Sequence, residues 1–390
     1  MLVIVSVLAG WGALLADADR SIWTPALEPA PLVAGGQPRA AGMPEILYVN
    51  FDGGVLHSGC GNEAHYNCST LANTFDGYVG PFTGNDTQRI SILQATRKEL
   101  ADFGVRVVVQ RPPDDVPYTM VMYGDLGPQD FAGLAPYIDC EEVHPNDTSF
   151  TAAFDTSNTG STVILQEAAH TWGLEHVDAE DDILNPFKAA GLHQNFHDEC
   201  YPIVANTALE PTPGSCNIVH TRFCETGFQN SWQEMRYLFG PPVPDTSAPT
   251  LDIISPIDGE TFVLPTTIPL TGDITDDLDP QFYRIQIFTL LDGEPLPDFP
   301  EQNKVALDLL LQEPPPGDYE MRVVISDEAG NSAEDTVTFT ILKEGSELPE
   351  DEPEVDDDDE SDGCRLGGHE PHALALVVLA GLVRRRRTRS

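Results

Sequence analysis

Hydrophobic and polar positions along the chain follow two distinct periods. In "EILYVNFDG", "VRVVVQ" and "YTMVMYG" the apolar residues alternate or run together over a few positions, and each stretch predicts a strand. "DTQRISILQATRKELADFG" places apolar residues every three or four positions instead. That spacing predicts a helix, with Asp86 or Thr87 as N-cap and Gly104 at its end. "STVILQEAAHTWGLEH" predicts a second helix, and "QNSWQEMRYLFG" a last one closed by Gly240 and Pro241. Residues 44–241 therefore read as one α+β domain.

The style then changes. "PPVPDTSAPT" (241–250) is a linker by its proline content. After it, "TLDIISP", "TIPLTGDI", "FYRIQIFT", "DYEMRVVISD" and "DTVTFTIL" are short strands between turn residues, which predicts an all-β sandwich over 249–342. Residues 343–363 are an acidic spacer too polar to build a core. Residues 19–43, rich in Pro, Ala and Gly, read as a flexible leader.

Both ends are apolar. "MLVIVSVLAGWGALLADA" (1–18) closes on Ala16-Asp17-Ala18 and has the form of a secretory signal peptide. At the other end an apolar run from Ala373 to Val383 precedes four arginines. The run is far shorter than the roughly 20 apolar residues of a transmembrane helix. Arginines placed after such a run hold its end on the cytoplasmic side.

Charge and cysteine content sharpen this reading. The 390 residues include 63 acidic and 20 basic ones, a net charge of −43. Loss of 1–18 and 364–390 would remove two acidic and six basic residues, leaving about −47. Such a charge argues against nucleic acid or anionic lipid as a partner. Six cysteines (Cys60, Cys68, Cys140, Cys200, Cys216 and Cys224) form an even set, and Cys364 stands apart. An even set in an exported chain predicts three disulfides, with 15 pairings open. Short separations favour Cys60–Cys68 and Cys216–Cys224, which leaves Cys140–Cys200.

The chemistry is concentrated in "ILQEAAHTWGLEHVD", residues 164–178. On a helix Gln166 and His170 lie one turn apart on one face, with Glu167 beside them. Gly173 permits a sharp exit that swings His176 back toward the same point. Catalytic zinc takes three protein ligands and keeps a fourth position for water. A neighbouring glutamate then takes that water's proton. Glu167 is thus the candidate general base, and His170, His176 and Gln166 are the candidate metal ligands. The Gln166 carboxamide is a harder, neutral donor than imidazole nitrogen. His144, His193 and His197 are further histidines from which a replacement ligand could come. In "GDITDDLDP", Asp273, Asp276, Asp277 and Asp279 offer oxygen ligands for calcium, or form a solvated acidic loop.

The spacing of Gln166, Glu167, His170, Gly173 and His176 resembles the HExxHxxGxxH signature of metzincin zinc peptidases, with glutamine in place of the first histidine. The order strand, helix, strand, strand, motif helix is similar to the upstream half of that domain, most like the matrixins. "DAEDDILNPF" resembles the family's Met-turn segment, with Leu184 where methionine stands. The resemblance covers about residues 45–190. It implies a metzincin-like catalytic domain, a zinc metalloendopeptidase with a variant QExxHxxGxxH site cleaving an extracellular protein or peptide. The alternative is a catalytically degenerate domain kept as a surface binding or adhesion module. "ISDEAGNSAEDTVTFTI" resembles the last hairpin of bacterial immunoglobulin-like domains. Residues 364–390 resemble the C-terminal sorting signals of myxobacterial surface proteins. That resemblance implies processing at Cys364 and anchoring to the outer surface.

Overall fold

A computed structural model describes residues 27, 40–154, 156–187, 194–297 and 299–348. The signal peptide expected over 1–18, most of the leader and of the acidic spacer, the sorting signal with Cys364, and His193 lie outside the described residues.

The first module runs, in chain order, through β1 (Glu45–Asn50), β2 (Gly54–Val55), β3 (Tyr78–Val79), α1 (Asp86–Glu99), β4 (Val105–Val108), β5 (Thr119–Gly124), β6 (Gly133–Leu134) and β7 (Thr148–Ala152). It continues through α2 (Ser157–Thr171), β8 (Tyr201–Pro202), α3 (Asn217–His220), β9 (Phe228–Gln229) and α4 (Ser231–Phe239). Its main sheet has the order β4-β1-β5-β7-β6, parallel throughout except for β6, which runs antiparallel to β7 at the edge. Every residue of β5 and β7 is buried, the expected state of inner strands in a covered parallel sheet. Strand β7, "TSFTA", escapes a reading by apolar period because three of its five residues carry hydroxyls.

Helix α1 is capped one residue earlier than expected, by Asn85. Asn85 Oδ1 accepts from the Gln88 amide at 2.9 Å, while Gln88 Oε1 accepts from the Asn85 amide at 2.9 Å, a reciprocal capping box. The helix ends at Glu99, with turns carrying the chain on to Gly104. Helix α2 lies across the sheet and is buried from Thr159 to Thr171. Its exit is pinned by Trp172, whose indole N–H donates to Thr119 Oγ1 of β5 at 2.9 Å.

The second module is a β-sandwich. Its strands are β10 (Thr250–Ser255), β11 (Glu260–Val263), β12 (Thr267–Thr275), β13 (Tyr283–Leu291), β14 (Glu294–Pro295), β15 (Gln302–Lys304), β16 (Leu307–Gln312), β17 (Gly317–Ser326) and β18 (Ser332–Leu342). One sheet is β10-β12-β16 and the other β11-β18-β17-β13-β14, with β15 paired to β13. They enclose a core of their own, built on Ile268, Ile285, Ile287, Val323 and Phe339. The Asp-x-Ala-Gly-Asn turn closes the β17–β18 hairpin: Asp327 Oδ1 accepts from the Asn331 amide at 2.8 Å. The modules touch through Arg97, which donates to the carbonyls of Leu278 (2.7 Å) and Pro280 (3.2 Å).

Three disulfides join Cys60–Cys68, Cys140–Cys216 and Cys200–Cys224. Two of the favoured pairings, Cys216–Cys224 and Cys140–Cys200, are therefore corrected. Residues 217–224 turn helically, with the Cys224 amide on the His220 carbonyl. Eight helical residues rise about 12 Å, which separates their ends beyond disulfide reach. Among the described residues no helix is long and apolar enough to cross a membrane.

Candidate metal-binding site

Helix α2 places Gln166, Glu167 and His170 at its buried C-terminal half, over the sheet. The chain then leaves at Gly173, where φ is +94° and a Cβ would lie 2.8 Å from the Asp139 carbonyl. Only glycine takes that conformation in that space without strain. The exit turns the chain back, and His176 Nε2 comes to 3.1 Å from His170 Nε2, with the rings nearly perpendicular. His170 is 0% exposed and His176 4%.

The protonation of His170 follows from its other nitrogen. Nδ1 lies 2.8 Å from the Leu174 carbonyl, which can only accept, so Nδ1 carries the proton and Nε2 presents a lone pair. Backbone carbonyls commonly orient metal-ligating imidazoles in this way. Two nitrogens bound tetrahedrally to one zinc lie about 3.3 Å apart. The observed separation fits a shared cation, and it is equally that of a hydrogen bond from the His176 Nε2–H to the His170 lone pair.

The loop at 182–185 supports both ligand-bearing segments. Asp182 Oδ1 accepts from the Leu184 amide at 2.8 Å, and the Leu184 carbonyl accepts from the Val177 amide at 3.1 Å. The Asn185 carbonyl accepts from Gln166 Nε2 at 3.3 Å. That bond orients the carboxamide, with Oε1 on its other arm. Glu167 packs on the edge strand: a Cβ added to Gly133 of β6 would lie 2.6 Å from Glu167 Oε1.

The other candidate histidines are engaged elsewhere. His144 Nδ1 lies 3.2 Å from Asp139 Oδ1 and its ring packs on Tyr137. His197 Nε2 is 3.2 Å from the Asp181 carbonyl, with Tyr201 against its ring. The acidic loop gathers Asp276 and Asp277 with Asp245 of the linker rather than with Asp273 and Asp279. Asp273 sits in β12, and Asp279 accepts from the Asp276 amide and the Tyr283 hydroxyl.

Behind His176 lies a buried group that the sequence pattern does not reveal. His220 Nδ1 is 2.9 Å from both Glu234 carboxylate oxygens, and its Nε2 is 3.2 Å from Glu175 Oε1. Burial alone would lower the His220 pKa, but the hydrogen bonds to Glu175 and Glu234 carry it to about 9. Burial pushes Glu175 upward, and the hydrogen bonds from His220, Cys216 and Ser215 reverse that and hold it below its ordinary range. No local signal announces these residues, since they come from separate segments.

No family model matches this chain, and no curated protein does. Solved structures similar to part of it include fibronectin(III)-like modules of Clostridium thermocellum CbhA, with 15% identity over 24% of this chain and 96% of that one, at a TM-score of 0.19. A PKD domain of human KIAA0319 is 17% identical over 28% of this chain and 93% of its own, at 0.20. The PKD1 domain of Vibrio anguillarum Epp is 14% identical over 25% and 99%, at 0.17.

These findings correct the expected membership of the metzincin, matrixin-like peptidases. No family model and no curated protein supports it. The sorting-signal resemblance of 364–390 has no support in these comparisons either. A short spacing pattern on a helix is a weak identifier, because its residues answer to local geometry as well as to descent.

Proposed function

We propose that the first module is a metal-dependent hydrolase acting on peptide bonds of an extracellular protein or peptide. The observation that carries this reading is the pair of buried Nε2 atoms 3.1 Å apart, one of them fixed as a lone-pair donor by the Leu174 carbonyl. His170 and His176 would hold a zinc ion, with the Gln166 carboxamide as third donor. The ion, when bound, supplies a positive centre that makes water nucleophilic near neutral pH. Glu167, 1% exposed and adjacent to Gln166 on the same helix, would accept a proton from water there. Peptide is the favoured substrate because Glu167 lies against β6, a sheet edge. An extended backbone can add to such an edge by strand pairing, beside the proton acceptor. Three disulfides accord with an extracellular setting.

One observation favours a second reading, a binding module without hydrolysis: the Gln166 amide already serves the fold through Asn185. Metal analysis and proteolysis of casein separate the two. The hydrolase should carry one zinc per chain, and Glu167→Gln should keep the zinc while losing about 10²–10⁴-fold in turnover. Zinc-free protein, with Glu167→Gln indistinguishable from wild type, would establish the binder.

A further inference from the structure

Glu175 immediately precedes His176, and each of its backbone polar groups is taken by one side chain. Its amide donates to Gln229 Oε1 at 2.7 Å, and its carbonyl accepts from Gln229 Nε2 at 2.9 Å. Gln229, 0% exposed, so pairs with residue 175 as a neighbouring strand would. The Glu175 carboxylate is held as well, by the Cys216 amide (2.9 Å), the Ser215 amide and His220. His220 is backed in turn by Glu234.

The arrangement exceeds what a surface turn needs. A primary amide bonded to both groups of one residue fixes the direction in which the next side chain leaves. A buried imidazole between two carboxylates has a donor proton on each nitrogen, so the carboxylate end is fixed too. None of these groups belongs to the sheet edge where a substrate would bind. What they determine is where the chain stands as it delivers His176.

We infer that Gln229, backed by the Glu175–His220–Glu234 cluster, is a positioning residue that holds His176 Nε2 in register with His170 Nε2. The inference rests on the proposed metal site for its purpose, though the clamp itself is a feature of the protein fold. Glutamine suits this role because it offers one donor and one acceptor on a planar group, and no charge that would draw metal toward itself. Groups behind metal ligands commonly change affinity 10–100-fold when removed.

The test reads the clamp twice on the full chain. In metal-free protein, the ring ¹⁵N and ¹H resonances of His170 and His176 are compared between wild type and Gln229→Ala. The clamp requires the His176 resonances to shift or broaden in the variant, while those of His65, whose ring contacts Glu63, Val116 and Tyr118, stay put. Unchanged His176 resonances in folded Gln229→Ala would overturn the inference, whatever the metal result. Zinc affinity is then measured by chelator competition, with Co²⁺ absorption as a record of coordination geometry. Gln229→Ala should bind zinc 10–100-fold more weakly and move the Co²⁺ bands. Leu47→Ala, a core variant of the same module, should lose thermal stability and leave both unchanged. A shift of His176 in the first arm, with a wild type that binds no zinc, would sink the hydrolase and keep the clamp. Equal zinc affinity and equal spectra in wild type and Gln229→Ala would sink the clamp and keep the metal.

Discussion

His220 shows what a single residue contributes when its surroundings are assembled from distant segments. Its ordinary pKa is 6.5, and in the folded chain it stands at about 9. The folded state thus holds a proton that the unfolded chain releases sooner. The resulting stabilisation is fully present below pH 6.5, declines as pH rises through about 9, and is absent above it. Its upper bound is on the order of 3 kcal/mol. The midpoint of urea unfolding should therefore fall as pH rises from 6.5 to about 9. His220→Gln should be less stable at pH 6.5, with that slope removed. An identical pH slope in wild type and variant would show that the carboxylates do not hold a charged imidazole.

At the scale of elements, the candidate site depends on how α2 meets β6. The edge strand has only two residues, and its first is glycine because the Glu167 carboxyl occupies the volume a Cβ would take. Gly133→Ala should push Glu167 aside while leaving His170 and His176 where they are. On the proposed hydrolase reading, the expected result is roughly a tenfold or greater loss of hydrolysis with zinc stoichiometry unchanged. Loss of zinc together with activity would mean that the helix itself had moved. Element boundaries show a related lesson in α1. Asn85, Asp86 and Thr87 are all competent caps, and which one serves depends on the side chain three residues on. Gln88 answers Asn85, so Asn85 is the cap and the helix begins at Asp86.

Across the whole molecule, the proline-rich segment after α4 is not the only connection between the modules. Arg97 of α1 reaches the Leu278 and Pro280 carbonyls, and Arg106 of β4 meets Asp277 at 2.8 Å. The exposed Arg106 pair adds little. Arg97 is mostly buried, and truncating it would leave two carbonyls without their donor. Arg97→Ala should therefore loosen the pair of modules, seen as a larger radius of gyration in solution scattering with circular dichroism unchanged. The same radius in both proteins would assign the docking to other contacts.

What the sequence by itself determined is local or periodic. Strand and helix periods, the linker, the sandwich and the Gly173 exit depend on neighbours within a few residues, and the chain spells these out. The motif residues Gln166, Glu167, His170 and His176 were legible because three of them share one stretch of helix and the fourth follows its exit. Tertiary structure decided the rest. It chose the partners of Cys140 and Cys200, because a helical turn keeps Cys216 and Cys224 apart. It engaged His144 with Asp139 and His197 with Asp181, and drew Asp245 rather than Asp273 to the acidic loop. It also placed Gln229, His220 and Glu234 behind His176. Those contacts join segments far apart in the chain. Their energies come from burial and from the closing of distant segments, which leave no period along the chain.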